Sequence, residues 1–326
     1  MLAAVMTRFG DADVLVPTDV PTPEPATGWV RVDLRASALN WHDVLVRQGL
    51  YGSPLPHVPG ADGAGVRADT GEEVIVLPSL WWGERDAAPA AEWEILGDRR
   101  WGTAAQSVVV PQECVAPKPS GWGWHESAAL PLVGLTVYRA LISRGRLSAG
   151  ESLLVLGAGG GVATMAISMA AAIGAPAWVT SSSDAKIATA QTAGAVGGVR
   201  YDDPDWAQAA KALSPGGAGF DVVLDSVGAW SQAVTALRPG GRLVVLGASQ
   251  GNEQVLQARP FYFGQYELIG TTMGSPRDLA GLLALIDEGR LPPPTIAEVL
   301  PLARIADAHR LLESGQAVGK IVLDHT

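Results

Sequence analysis

The chain has 326 residues, 48% of them hydrophobic and 17% charged, enough for two hydrophobic cores and far from the composition of a disordered polypeptide. A formal net charge of −10, with no run of Lys or Arg, excludes a nucleic-acid or anionic-lipid binding surface. A single cysteine, Cys114, excludes an intrachain disulfide, a cysteine-rich zinc lobe and an iron–sulfur cluster, and fits a reducing cytoplasm.

The residues from Met1 to Asp11 are too briefly apolar for the core of a secretory signal. The first third then reads as short strands and turns. Residues 30–36 alternate, 73–77 form a compact apolar run ending at Pro78, and Pro54, Pro56 and Pro59 lead into Gly60, Gly63 and Gly65 as a constrained loop before a strand. This is the pattern of a β-rich domain.

From Ser152 the pattern changes to strand and helix in alternation, which implies parallel strands joined by crossover helices. Residues 153–156, 177–180, 221–225 and 242–246 are short apolar runs bounded by turn residues. Helix-like segments lie at 162–173, 184–193 and 231–237, the last leading to a turn at Arg238-Pro239-Gly240-Gly241. After 266–270 come a helix at 276–288, three prolines at 292–294, and a final helix and strand. The uncharged stretch 152–179 is interrupted by three consecutive glycines, Gly174 and Pro176, so it reads as soluble core and not as a membrane span. No disordered linker separates the halves.

The strongest local signal is the strand 153–156 running into Gly157-Ala158-Gly159-Gly160-Gly161 and a helix that begins at Val162. A pyrophosphate needs close backbone approach and free N–H groups at a helix N-terminus, and glycine permits both. The strict dinucleotide spacing is not met, and a glycine-rich turn that merely packs a helix tightly on a sheet has the same local pattern. At the end of the second strand, where an acidic residue would select NAD, stand Thr180, Ser181, Ser182 and Ser183, followed by Asp184 and Lys186. Hydroxyls and a lysine can donate to a 2′-phosphate, which favours NADPH over NADH; Asp184 can equally cap the helix.

In order and spacing the motifs 38–43, Gly49-Leu50-Tyr51, 59–65, the glycine turn, 237–241 and 319–323 resemble the medium-chain dehydrogenase/reductase superfamily, and its zinc-free quinone oxidoreductase branch in particular. The resemblance implies an α/β fold, with a GroES-like catalytic domain wrapped around a Rossmann domain and the active site in the cleft between. The expected domains are 1–120, 121–270 for the Rossmann part, and a return to the catalytic domain over 271–326.

Where zinc alcohol dehydrogenases place catalytic ligands, this chain has Asn40, Ala61 followed by Asp62, and Leu132, and the segment 80–93 holds no cysteine for a structural zinc. The resemblance therefore implies no metal. It implies Tyr51, Asn40 and Asp43 as the polar active-site set, Thr136 against the nicotinamide, and Gly157, Gly159, Gly160, Gly161, Val162, Ser181, Ser182, Lys186, Gly247 and Lys320 as the cofactor-binding residues. Asn40 and Asp43 can also be read as helix or turn caps. Leu45 stands where some members have a second tyrosine.

The expected activity is hydride transfer from NADPH, with NADH as the alternative donor, to a small electrophilic enone, enal or quinone. Metal-independent reduction of a simple carbonyl and a non-catalytic dinucleotide-binding role are the alternatives, which fold resemblance does not separate. The apolar strand near 261–270 is expected at a sheet edge, where it would pair in a homodimer.

Overall fold

In the computed structural model, which describes residues 1–249 and 251–326, the alternating stretch at 30–36 is the middle of the strand Trp29–Ala38. Val30, Val32, Leu34 and Ala36 turn inward and are buried, as the period-2 pattern requires. Among the described residues this strand belongs to a seven-stranded sheet. One edge pairs antiparallel with Asp62–Arg67. The other is shared, with Ser107–Pro111 along its first half and the C-terminal strand Lys320–Asp324 along its last residues. Val322 faces Ala38, and Leu39 N–H donates to the Ile321 carbonyl at 2.9 Å, so two ends of the chain meet where the helix Trp41–Arg47 begins. Leu39, Val46, Val58, Ile305, Ile321 and Leu323 belong to one buried apolar cluster there.

Among the described residues, the second compact unit is built on a six-stranded parallel sheet. Its spatial order is Gly197–Arg200, Ala177–Ser181, Leu153–Val155, Phe220–Asp225, Leu237–Val245 and Glu267–Gly270. Numbered along the chain this is 3-2-1-4-5-6, the doubly wound order whose direction reverses beside Leu153–Val155. The helices Gly161–Ile173, Asp184–Thr192 and Trp206–Leu213 lie between successive strands.

Three features depart from the expectation. The strand Gly197–Arg200 has no apolar run, because Gly198 lies so close to its neighbours that a Cβ there would come within 2.8 Å of the Val179 carbonyl and 2.9 Å of Ile187. The turn at 238–241 is an outward bulge inside one strand: Phe220 faces Leu237 while Val222 faces Arg242. The compact units also divide elsewhere, as Met1–Gly134, Ser275–Arg277 and Pro293–Thr326 against Leu135–Gly274 and Asp278–Pro292. The return to the first unit lies near 293 and not 271, because most of the helix Pro276–Asp287 packs within the second unit. Its Asp278 accepts from buried Arg139 at 2.8 Å, and Gly281 leaves room for the Tyr138 hydroxyl, which a Cβ would approach to 2.0 Å. Among the described residues no helix is long and apolar enough to cross a membrane.

Candidate active site

In the first unit, the register of Trp29–Ala38 against Asp62–Arg67 and Lys320–Asp324 brings Asn40, Asp62 and Lys320 together. The Lys320 ammonium donates to Asn40 Oδ1 at 2.6 Å and to Asp62 Oδ2 at 2.9 Å, and Asn40 Nδ2 donates to the same Asp62 oxygen at 2.9 Å. The second Asp62 oxygen accepts the Leu132 N–H at 2.6 Å. All three side chains are buried. A carboxylate and an ammonium so far from water persist only when paired and hydrogen-bonded, and this pair is both.

Asn40 is also the N-cap of the helix Trp41–Arg47, and its own N–H donates to Asp43 Oδ2 at 2.7 Å, the backward half of a capping box. Burial pushes the Asp43 carboxyl up to about 6, against the opposing pull of His42 and the Asn40 N–H. Asn40 therefore has both amide atoms engaged, and Asp43 is sealed at 1% exposure. Of the expected polar set, Tyr51 alone is open to solvent, at 43% exposure. Its ring lies against His42, centroids 4.5 Å apart, and burial together with the Asp98 carboxylate raises its pKa.

In the second unit, the glycine turn follows the strand Leu153–Val155 and enters the helix Gly161–Ile173 with Gly160 as N-cap. Gly157 has φ +108, and no atom stands within 4 Å of the Cβ positions of Gly157 and Gly160, so the turn has the open concavity that a phosphate pair requires. Val162 lies in the first turn of that helix. The Lys186 side chain lies along the turn, with its Nζ 3.3 Å from where a Gly159 Cβ would be. Ser181 is buried and accepts the Ser183 N–H at 3.1 Å, whereas Ser182 is exposed. Asp184, the acid nearest this strand end, is ion-paired with Arg200 at 3.2 Å.

The Thr136 hydroxyl is buried and turned toward Met273 Sδ at 3.8 Å. Gly247 passes so close to Ser226 that a Cβ would lie 2.6 Å from its carbonyl oxygen. Lys320 lies in the first unit, within the Asp62 network.

Two groups escape the sequence reading. Tyr201 donates to Ser182 Oγ at 3.2 Å and joins the hydroxyls at the second strand's end; that placement depends on the glycine-rich strand Gly197–Arg200, which has no hydrophobic signal. Asp98 is hydrogen-bonded to His42 across 56 positions of sequence, a separation at which no local pattern reports contact.

Residues 26–120 match the alcohol dehydrogenase GroES-like domain, and residues 161–288 match the family described as zinc-binding dehydrogenase. The chain is 32% identical to the 2-methylene-furan-3-one reductase of Solanum lycopersicum, over 99% of this chain and 79% of that protein. It is 30% identical to a chloroplastic NADPH-dependent alkenal/one oxidoreductase of Arabidopsis thaliana, again over 99% and 79%. Among solved structures, one described as an NAD-dependent alcohol dehydrogenase superposes over the whole of both chains, with a TM-score of 0.93 and 38% identity.

Proposed function

We propose that this chain, which belongs to the medium-chain dehydrogenase/reductase superfamily, uses NADPH to reduce a conjugated carbonyl compound or quinone without zinc. The observation that carries this reading is the state of the three positions corresponding to catalytic zinc ligands. Asn40 and its neighbour Asp62 are spent on the Lys320 ammonium, Ala61 has no donor atom, and Leu132 contributes a backbone N–H. Such a site does not fit a divalent cation. It closes on a cation of its own.

The names of the two relatives support a conjugated substrate. A bound reduced nicotinamide would supply hydride, and the open glycine turn at the N-terminus of Gly161–Ile173 fits its pyrophosphate. With no metal to polarise the acceptor, the protein must hold the substrate and donate hydrogen bonds that strengthen as charge reaches its oxygen. Tyr51 is that donor in this reading. Asn40 and Asp43 fix the helix that precedes it, Thr136 and Gly247 shape the nicotinamide surroundings, and Ser182, Lys186 and Tyr201 meet the 2′-phosphate.

The solved neighbour described as an NAD-dependent alcohol dehydrogenase favours the second reading, reduction of a simple carbonyl with NADH. Rates of NADPH and NADH oxidation with methyl vinyl ketone, a quinone and a saturated aldehyde separate the two. Turnover of the conjugated acceptors with NADPH is expected; turnover of the aldehyde alone overturns the proposal, and so does stoichiometric zinc by elemental analysis.

The same reading places the protein in the cytoplasm as a homodimer. The open sheet edge Glu267–Gly270, with Tyr262, Phe263 and Leu268 exposed on and beside it, offers the pairing surface.

A further inference from the structure

His42 stands beside the capping pair yet takes no part in the Asp62–Lys320 network. Its Nε2 is hydrogen-bonded to Asp98 Oδ1, and the two side chains are only 12% and 13% exposed. A carboxylate accepts and cannot donate, so the proton of this bond belongs to Nε2 and leaves Nδ1 as the second working nitrogen. Among the described residues Nδ1 has no hydrogen-bond partner, and unlike Nδ1 of His57 and of His325 it is not sealed from solvent. The small exposed part of this imidazole therefore includes the nitrogen that a ligand would need.

The placement of Asp98 is built into the fold. Gly97 has φ +90 and lies on Gly60 so closely that a Cβ would sit 2.6 Å from the Gly60 carbonyl oxygen, and its own carbonyl accepts from His57 Nε2 at 2.7 Å. The turn that carries Asp98 is thus fixed against the loop before Asp62. On its other side the His42 ring packs against the ring of Tyr51, the exposed residue of the same corner.

We propose that His42, held by Asp98, is a catalytic acid of the reduction and delivers the proton that the substrate's α-carbon takes up. This rests on the conjugated-carbonyl reading above. Addition of hydride to the β-carbon breaks the C=C π bond and leaves an enolate, whose oxygen Tyr51 would hold by a hydrogen bond. The enolate's electron pair then takes the proton from His42 Nδ1, forming the α-C–H bond and leaving neutral imidazole, which solvent reprotonates. One hydride and one proton enter the substrate, and the carbonyl is restored.

The titratable groups around the imidazole are Asp98, Asp43 and Tyr51. Burial lowers the His42 pKa, but the hydrogen bond and charge of Asp98 and the charge of Asp43 outweigh it, and the balance lies above the ordinary value. The acid form is therefore held toward neutral pH, where a proton donor must carry its proton.

The test uses the full-length protein with NADPH and 2-methylcyclohexenone, whose reduction creates a stereocentre at the α-carbon. In D2O the wild type is expected to place deuterium on one face of that carbon, and His42→Gln to lose the facial preference and to slow turnover on the order of a hundredfold. Asp98→Asn keeps an acceptor for Nε2 but removes the charge, so its imidazole loses its proton at lower pH and the falling limb of the pH–rate profile moves to lower pH. NMR titration of the five histidines in the cofactor-free protein reads the same shift without turnover. Unchanged facial selectivity and rate in His42→Gln, or an imidazole pKa indifferent to Asp98→Asn, overturns the assignment of His42 alone. A wild type that reduces no conjugated acceptor overturns the functional reading with it.

Discussion

Two groups of polar side chains in the first unit, one around Asn40 and one around Tyr51, differ in kind. Around Asn40 every amide and carboxylate atom of the Asn40–Asp62–Lys320 set has a partner, and the set is buried. Tyr51 itself is exposed, and the neighbouring imidazole has one nitrogen fixed and one open. A closed network holds backbone segments together, whereas an open one can act on a ligand. Sequence spacing shows the two alike, and only the count of unspent atoms tells them apart.

In Lys320→Met the Asp62 carboxylate loses its counter-ion while staying buried, so stability should fall by about 3–5 kcal/mol, the usual cost of removing one partner from a buried pair. Urea denaturation at neutral pH measures it. A loss below 1 kcal/mol together with a large rise in the KM for NADPH would return Lys320 to the cofactor, where the family resemblance first put it. Tyr51→Phe tests the open corner and should do the reverse, with an unchanged denaturation midpoint and a fall in enone turnover on the order of a hundredfold, the scale of losing one oxyanion donor. Full turnover in Tyr51→Phe removes Tyr51 as the donor.

Much of the fold was legible in the sequence because its signals are local. The alternation at 30–36 and the apolar runs at 153–156 and 221–225 mark strands that bury one face or both, and each forms where the pattern puts it. The failures are those of tertiary packing. Gly197–Arg200 is a strand because the neighbouring sheet and helix leave no room for side chains at Gly198, a reason no window of sequence contains. At the site, Asn40, Asp43 and Tyr51 stand out only through the family resemblance, which gives them as one polar set and does not separate the spent side chains from the open one. That Lys320 occupies Asn40 and Asp62 depends on a strand 280 residues away from Asn40. Asp98 and Tyr201 stayed hidden for the same reason, each meeting its partner only after the chain has folded.

The end of Ala177–Ser181 repeats the contrast on a small scale: Ser181 is buried and bonded to the Ser183 backbone, while Ser182 and Tyr201 are exposed and joined by one hydrogen bond at 3.2 Å. Asp184, which could repel a phosphate here, is ion-paired with Arg200, which also holds Asp202. If Ser182 and Tyr201 meet a 2′-phosphate, Tyr201→Phe removes one hydrogen bond to a charged group and should weaken NADPH binding about tenfold, the order expected for such a bond, while NADH binding stays as it was. Lys186 sharpens the distinction, because its ammonium lies over Gly159 in the pyrophosphate turn, a part both dinucleotides share. Lys186→Ala should therefore weaken both cofactors, and NADPH the more. Fluorescence titration of each variant with each dinucleotide reads all four affinities. Equal losses for NADPH and NADH in Tyr201→Phe would show that this strand end does not select the phosphate, and the preference for NADPH would lose its structural basis.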